Sequence, residues 1–247
     1  MKSIYILIIT LFSLTICIGQ DKITFDIKEV FLQKKDFKKR KSDFIKKGGN
    51  FYEDKDYIVS KSCSGEWGGS IFFKNKKSGI EYSCSATCPV SVNLIDGKYI
   101  VTNSLAHLRG SSDIIEIKNP ELMSVFKMPE PREIKNGIKH YYTGDTESKS
   151  RKGVKEIWNG FGILTLISFE FKEQLYHIIS KDAKTFLATI VESELKIINQ
   201  ISKERIWDYA PETFKDEKGN LIVFFNNHST SGYIEIIGNE IKVTRTK

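Results

Sequence analysis

Proline is scarce in this 247-residue chain, with five, and methionine scarcer still, with three; there are four cysteines, four histidines and three tryptophans. So few cysteines exclude a small domain stapled by many disulfides. After the first twenty residues no apolar run approaches the ~20 residues that a membrane-spanning helix needs. No nucleophile elbow of the G-x-S-x-G type, zinc-protease HExxH, glycine-rich phosphate loop or Asp-x-Asp-x-Asp calcium run is present. No cofactor and no metal is therefore expected.

What the chain does contain begins with "MKSIYILIITLFSLTICIGQ". One lysine, a short apolar stretch and a tail of small residues make the layout of an export signal over residues 1–19, cleaved after Gly19. An alternative is a lipoprotein anchored through Cys17, although Ile16 is bulky for that signal. Export places the protein in a periplasmic or extracellular setting. A basic lead-in follows over residues 20–50. It contains "KKDFKKRKSDFIKK", eight basic residues against Asp36 and Asp43, in a chain of net charge +7. Export and the lack of a recognition motif argue against nucleic acid, so the segment reads as a solvated lysine-rich stretch, with contact to an anionic cell surface as the other possibility. Ile27, Val30, Phe31, Phe37, Phe44 and Ile45 form a patchy apolar stripe that predicts a partly helical lead-in.

Residues 51–247 are read as one β-domain. "YIVSKSCSGEWGGS" from Tyr57 and "YIVTNSLAHLRGSS" from Tyr99 are near-duplicates offset by 42 residues, and "LIVFFNNHSTSGYIEI" from Leu221 keeps Ile-Val and the later Gly. In all three, nine residues separate Val59, Val101 or Val223 from Gly68, Gly110 or Gly232. "FGILTLISFEF", "LYHIIS", "TFLATIV" and "LKIINQI" are strand-length runs parted by short polar turns such as "KDAK" and "ESE". Consecutive apolar residues in "YIV" and "LIV" imply strands buried on both faces. A spacing of about 41 residues accommodates five modules of about four strands each, which predicts a five-bladed β-propeller; the alternative is a β-sandwich. "GGSIFFKNKKSGIEY", "GKYIVTNSLAHLRGSSDIIEI" and "GNLIVFFNNHSTSGYIEI" resemble segments of secreted bacterial β-propeller-like proteins, many without assigned activity. The resemblance covers residues from about 57 to the end and carries over no functional residues.

Cys84 and Cys88 would lie about 13 Å apart in an extended segment, beyond disulfide reach, so Cys63 is expected to pair with one of them. Cys84, at the end of a strand-like run, is the preferred partner. A thiolate zinc site of Cys63, Cys84, Cys88 and His107 is the weaker reading. The loops after the repeated strands supply the expected ligand contacts: Glu66, Trp67, Asn103, His107, Arg109, Asn226 and His228. The function expected is non-catalytic binding of a protein, peptide or glycan at the cell envelope. The alternative is a glycan-cleaving hydrolase, in which Glu66, Asp145 or Glu212 supply a carboxylate pair near tryptophan in a central pocket.

Overall fold

The computed structural model describes residues 23–44, 50–227 and 229–246. Strand β1 (Asp26–Phe31) is followed by two three-residue 3-10 turns, Lys34–Asp36 and Lys41–Asp43. Then come β2 (Tyr52–Glu53), β3 (Tyr57–Lys61), β4 (Ser70–Asn75) and β5 (Glu81–Ser85), which with the later β9 (Ser124–Val125) make sheet I. Sheet II joins β6 (Pro89–Ile95), β7 (Lys98–Leu105) and β8 (Ser111–Ile117) to β12 (Val154–Phe161). Between β9 and β12 stands a lone hairpin, β10 (Glu133–Lys135) and β11 (Ile138–His140). Its turn is Asn136-Gly137, both at positive φ, as a two-residue hairpin requires. Sheet III is a meander of β13 (Ile163–Phe171), β14 (Gln174–Lys181), β15 (Lys184–Val191) and β16 (Glu194–Ser202). Sheet IV contains β17 (Glu212–Lys215), β18 (Leu221–Asn226), β19 (Ser231–Ile237) and β20 (Glu240–Arg245), with β1 added in parallel along β20.

The fold is all-β. Five modules are not found: the described strands form four large sheets and one hairpin, none closed on itself, and layered packing of this kind fits the sandwich alternative. The internal duplication is nevertheless structural. Val59, Val101 and Val223 all lie, fully buried, on the middle of three consecutive antiparallel strands, β2–β3–β4, β6–β7–β8 and β17–β18–β19. Gly110, which opens the third strand of sheet II, has φ +86°, and a Cβ there would come within 2.6 Å of Leu164. The lead-in stripe is not helical among the described residues. Ile27 and Val30 instead lie on opposite faces of β1, because β20 offers an open edge whose ladder satisfies the backbone of the segment.

Neighbouring sheets pack I on II, II on III and III on IV, and β17 of sheet IV also touches β6 of sheet II. Val59, Ile71, Phe73, Val101 and Ile115 form the core between I and II; Leu166, Ile178, Leu187, Val223 and Val243 form that between III and IV. The inner position of sheets II and III explains why β7 and β13 are buried on consecutive residues. Between II and III the contact is part apolar, where Trp158 packs against Ile163, Ile179 and Ala188, and part polar. β13 is an edge strand, and its free backbone groups are met by side chains of sheet II. Ser104 and Ser112 accept from the Thr165 N–H (2.9 and 3.0 Å), Ser91 accepts from the Ser168 N–H (3.1 Å), and Asn93 donates to the Ser168 carbonyl (3.1 Å). Ser168 Oγ also meets Thr102 Oγ1 at 2.8 Å and His177 Nδ1 at 2.6 Å.

The N-terminal strand is tied to the far end of the chain by a buried cation. Arg245, 2% exposed, lies 2.7 Å from Glu29 and 2.8 Å from Glu204, and its guanidinium stacks on Phe31. The Cys63–Cys84 pairing is corrected: the disulfide joins Cys63 to Cys88, whose Cα atoms are 4.4 Å apart. Cys84 lies within β5 with its side chain turned into the core between sheets I and II, where burial pushes its thiol up to about 12. Cys88 adopts φ +53° at the turn into β6, which brings it to the loop that carries Cys63. In the chain-entropy model a loop of this length contributes about 3 kcal/mol.

Two outcomes follow from sheet III. Burial lowers the His177 pKa from 6.5 to about 4, so below 6.5 the unfolded chain binds a proton that the folded chain refuses. Stability is expected to fall by about 2 kcal/mol between pH 6.5 and 5, and His177→Asn, which can still meet Ser168, should flatten that slope in urea titrations. The turn Asp182-Ala183 holds two non-glycine residues at φ +48° and +62°. Ala183→Gly is expected to raise unfolding stability by about 0.5–1 kcal/mol, measured the same way.

Candidate functional site

Sheet I has one face against sheet II, so its other face needs a cover. Residues 126–150 provide it: Phe126 packs edge-on to Phe72 with ring centres 4.8 Å apart, and the Ser150 carbonyl accepts from the Ser85 N–H. The segment is pinned by one carboxylate. Glu147, 7% exposed, accepts from Ser62, from Ser64 (2.5 Å) and from Ser70 (2.6 Å), while Ser70 Oγ accepts from the Ser148 N–H (2.6 Å). Burial alone would raise its pKa, but the three hydroxyl donors outweigh that and hold it below the ordinary carboxylate value. Gly144, at φ +82°, lies against Trp67; a Cβ there would sit 2.8 Å from the Trp67 carbonyl.

Between this cover and sheet I lies a cleft of about 580 Å³. Trp67 stands in its wall, at the end of the 3-10 turn Gly65–Trp67, 61% exposed. Serines line the floor, and Lys127, Lys149 and Arg132 bring positive charge. Arg132 stacks on Tyr142 and reaches Asp145 at 2.6 Å. That hydrogen bond, with a second from the Tyr142 N–H, lowers the Asp145 pKa. Both carboxylates of the cleft are thus held ionised. Asp113, the described carboxyl whose pKa burial raises, lines neither this cleft nor the second one described below.

The expected site residues do not converge. Glu66 and His107 do meet, with Oε2 and Nδ1 3.5 Å apart, joining the second-to-third-strand loops of sheets I and II. Arg109 is exposed on the same loop as His107, and its carbonyl accepts from Arg205. Asn103 lies in the interior. It is fully buried in β7, donates to Asp113 at 2.7 Å, and leaves its Oδ1 without a partner among the described residues. Asn226 and Glu212 lie on sheet IV, in a second cleft beside the lead-in, where Glu212 bonds Lys41 at 2.7 Å. His228 and Cys17 lie outside the described residues. Glu66, Asp145 and Glu212 therefore occupy three separate places. Glu66 faces His107, and the clefts that hold Asp145 and Glu212 share no lining residue.

Glu147, Arg132 and the covering segment were not visible in the sequence. Asn136-Gly137 signals the hairpin inside that segment, but nothing local says where it docks. A Ser-x-x-Lys spacing also occurs here, Ser124 to Lys127, yet it runs along β9 and its continuation, and Ser124 Oγ meets Ser150 Oγ at 2.7 Å instead of the lysine. Among the described residues no cluster of histidine, cysteine, aspartate and glutamate could hold a metal ion, and no helix is long and apolar enough to cross a membrane. Comparison with known proteins finds no matching family model, no matching curated protein and no matching solved structure.

Glu147→Gln keeps the size of the side chain but exchanges one acceptor oxygen for a donor facing serine hydroxyls. It is expected to cost about 1–3 kcal/mol of stability and to make residues 126–150 cleavable by low trypsin at a temperature where the parent is intact. Because the folded carboxyl titrates low, its contribution is complete above 4.5 and is lost as pH falls further. The parent's trypsin resistance should follow that course.

Proposed function

We propose that this chain is an exported, non-catalytic binding protein of the cell envelope that recognises a peptide, protein or glycan through the cleft beside Trp67. One observation carries the reading: an exposed indole faces a cleft whose two carboxylates are both held ionised. Glycoside hydrolysis needs one carboxylic acid kept protonated to serve the leaving group. Hydrogen bonds to Arg132 and to three serines push Asp145 and Glu147 the other way. Fixed acceptors beside a flat apolar ring instead suit recognition of a ligand with its own hydroxyl or amide donors. The Cys63–Cys88 disulfide supports an oxidising compartment and so the export reading. In architecture we read the four large sheets as propeller-like modules, supported by the equivalent positions of Val59, Val101 and Val223.

The test is an array of immobilised glycans and peptides probed with the purified protein. Trp67→Ala is expected to weaken every genuine hit at least tenfold, about 1.4 kcal/mol, with the melting temperature unchanged. Hits that ignore Trp67, or glycan cleavage that disappears in Asp145→Asn, would overturn the reading.

A further inference from the structure

The lead-in does not float free of the sheets. Phe37 packs edge-on to Tyr233, and Phe44 lies against Phe214 and Phe224, so residues 34–44 cover the outer face of sheet IV. The cover is incomplete and leaves the second cleft, of about 900 Å³, a volume suited to one organic ligand. Five cations of the lead-in line it: Lys34, Lys35, Lys39, Arg40 and Lys41.

The lining carboxylates Asp208 and Glu212 and the neighbouring Glu235 each have a partner, and Asp36 and Asp43 of the lead-in do not line the cleft. Glu212 holds Lys41 at 2.7 Å, and Glu235 holds Lys39 at 3.4 Å. Asp208 accepts from the Ala210 N–H (2.9 Å) through one oxygen and from the Asn226 N–H (2.6 Å) through the other. Lys34, Lys35 and the Arg40 guanidinium are in no ion pair among the described residues. Because Asp208 keeps its charge, the five cations exceed Asp208, Glu212 and Glu235 by two, and the three cations outside any ion pair stand beside Phe37 and Phe224.

We propose that this cleft binds an amphiphile bearing a phosphate monoester, with the phosphate against Lys34, Lys35 and Arg40 and the apolar body on Phe37 and Phe224. The charge count favours phosphate over carboxylate. A phosphate monoester carries about −1.5 to −2 at neutral pH and presents three acceptor oxygens, which matches three donors, one of them a planar fork suited to bidentate bonding. A lone carboxylate would leave half of that net charge uncompensated. The apolar floor distinguishes such a ligand from a free inorganic ion, which could use only the rim. The cleft shares no lining residue with the Trp67 cleft, so the two sites stand or fall separately.

The experiment is calorimetric titration of the whole protein with dihexanoyl phosphatidic acid below its micellar concentration. Inorganic phosphate and dihexanoyl phosphatidylcholine serve as parallel titrants, and vesicles with and without phosphatidic acid form a separate arm. Binding of the monomeric anionic amphiphile is expected to be at least tenfold tighter than that of either comparison titrant and to weaken with added salt. Arg40→Gln and the pair Lys34→Gln, Lys35→Gln, all at exposed positions, should each reduce it at least tenfold, whereas Trp67→Ala should leave it unchanged. Three results would overturn the proposal: no binding of the monomer, equal binding of inorganic phosphate, or binding insensitive to the three cations. Capture by phosphatidic acid vesicles without binding of the monomer would also overturn it, since the cations would then serve a membrane surface and not a cleft.

Discussion

The structure depends on how one edge strand is satisfied. β13 opens sheet III and presents an unpaired row of N–H and C=O groups to sheet II. An edge of this kind is an invitation to pair with another chain. Here it is met inside the molecule by Ser91, Asn93, Ser104 and Ser112, side chains from three successive strands. A register shift between Thr165 and Ile167 accompanies the arrangement. The seam is part polar, and nearly every polar group in it has a partner, which is the condition under which buried polarity specifies a unique packing instead of weakening it. Through it the I–II core and the III–IV core, separate apolar clusters on either side, become one body.

The same stacking explains where the clefts are. β7 and β13 are buried on consecutive residues, whereas one face of sheet I and one of sheet IV meet irregular chain. Irregular chain fills those places: residues 126–150 over sheet I and residues 34–44 over sheet IV. Irregular covers seldom match a pleated surface everywhere, and each leaves a cleft. The two differ in chemistry because the covers differ. One brings Arg132, Asp145 and Glu147 to an exposed indole, and the other brings a lysine-rich segment to phenylalanines. The two clefts share no lining residue, and Glu66 faces His107 instead, which is why Glu66, Asp145 and Glu212 divide among three places.

Much of the strand content was legible from residue pattern alone. The four runs from Phe161 to Ile201 correspond to β13 through β16 with their boundaries within two residues, and "KDAK" and "ESE" are their turns. Consecutive apolar residues at Ile100-Val101 and Ile222-Val223 reported burial on both faces, as found. The lead-in was misread because Ile27, Val30 and Phe31 suit either a helix or a strand over so short a span, and only the edge of β20 decides. The choice between Cys84 and Cys88 turned on a positive φ at Cys88, in a segment whose bend depends on docking against Gly69. Glu147 carried no signal at all, since its three serine partners lie 77 to 85 residues earlier in the chain.

The amino-acid order by itself determined that the chain is built of β-strands, where most of them run, and that three segments are equivalent. These follow from side-chain alternation and turn chemistry, which act over a few residues. Tertiary structure decided how many sheets form, which cysteines meet, that the N-terminal segment becomes a strand beside the C-terminal one, and which polar groups share a cleft. Each of those depends on which distant surface lies opposite, as in the pairing of Asp26 with Glu240. A local pattern can call for a partner without naming it.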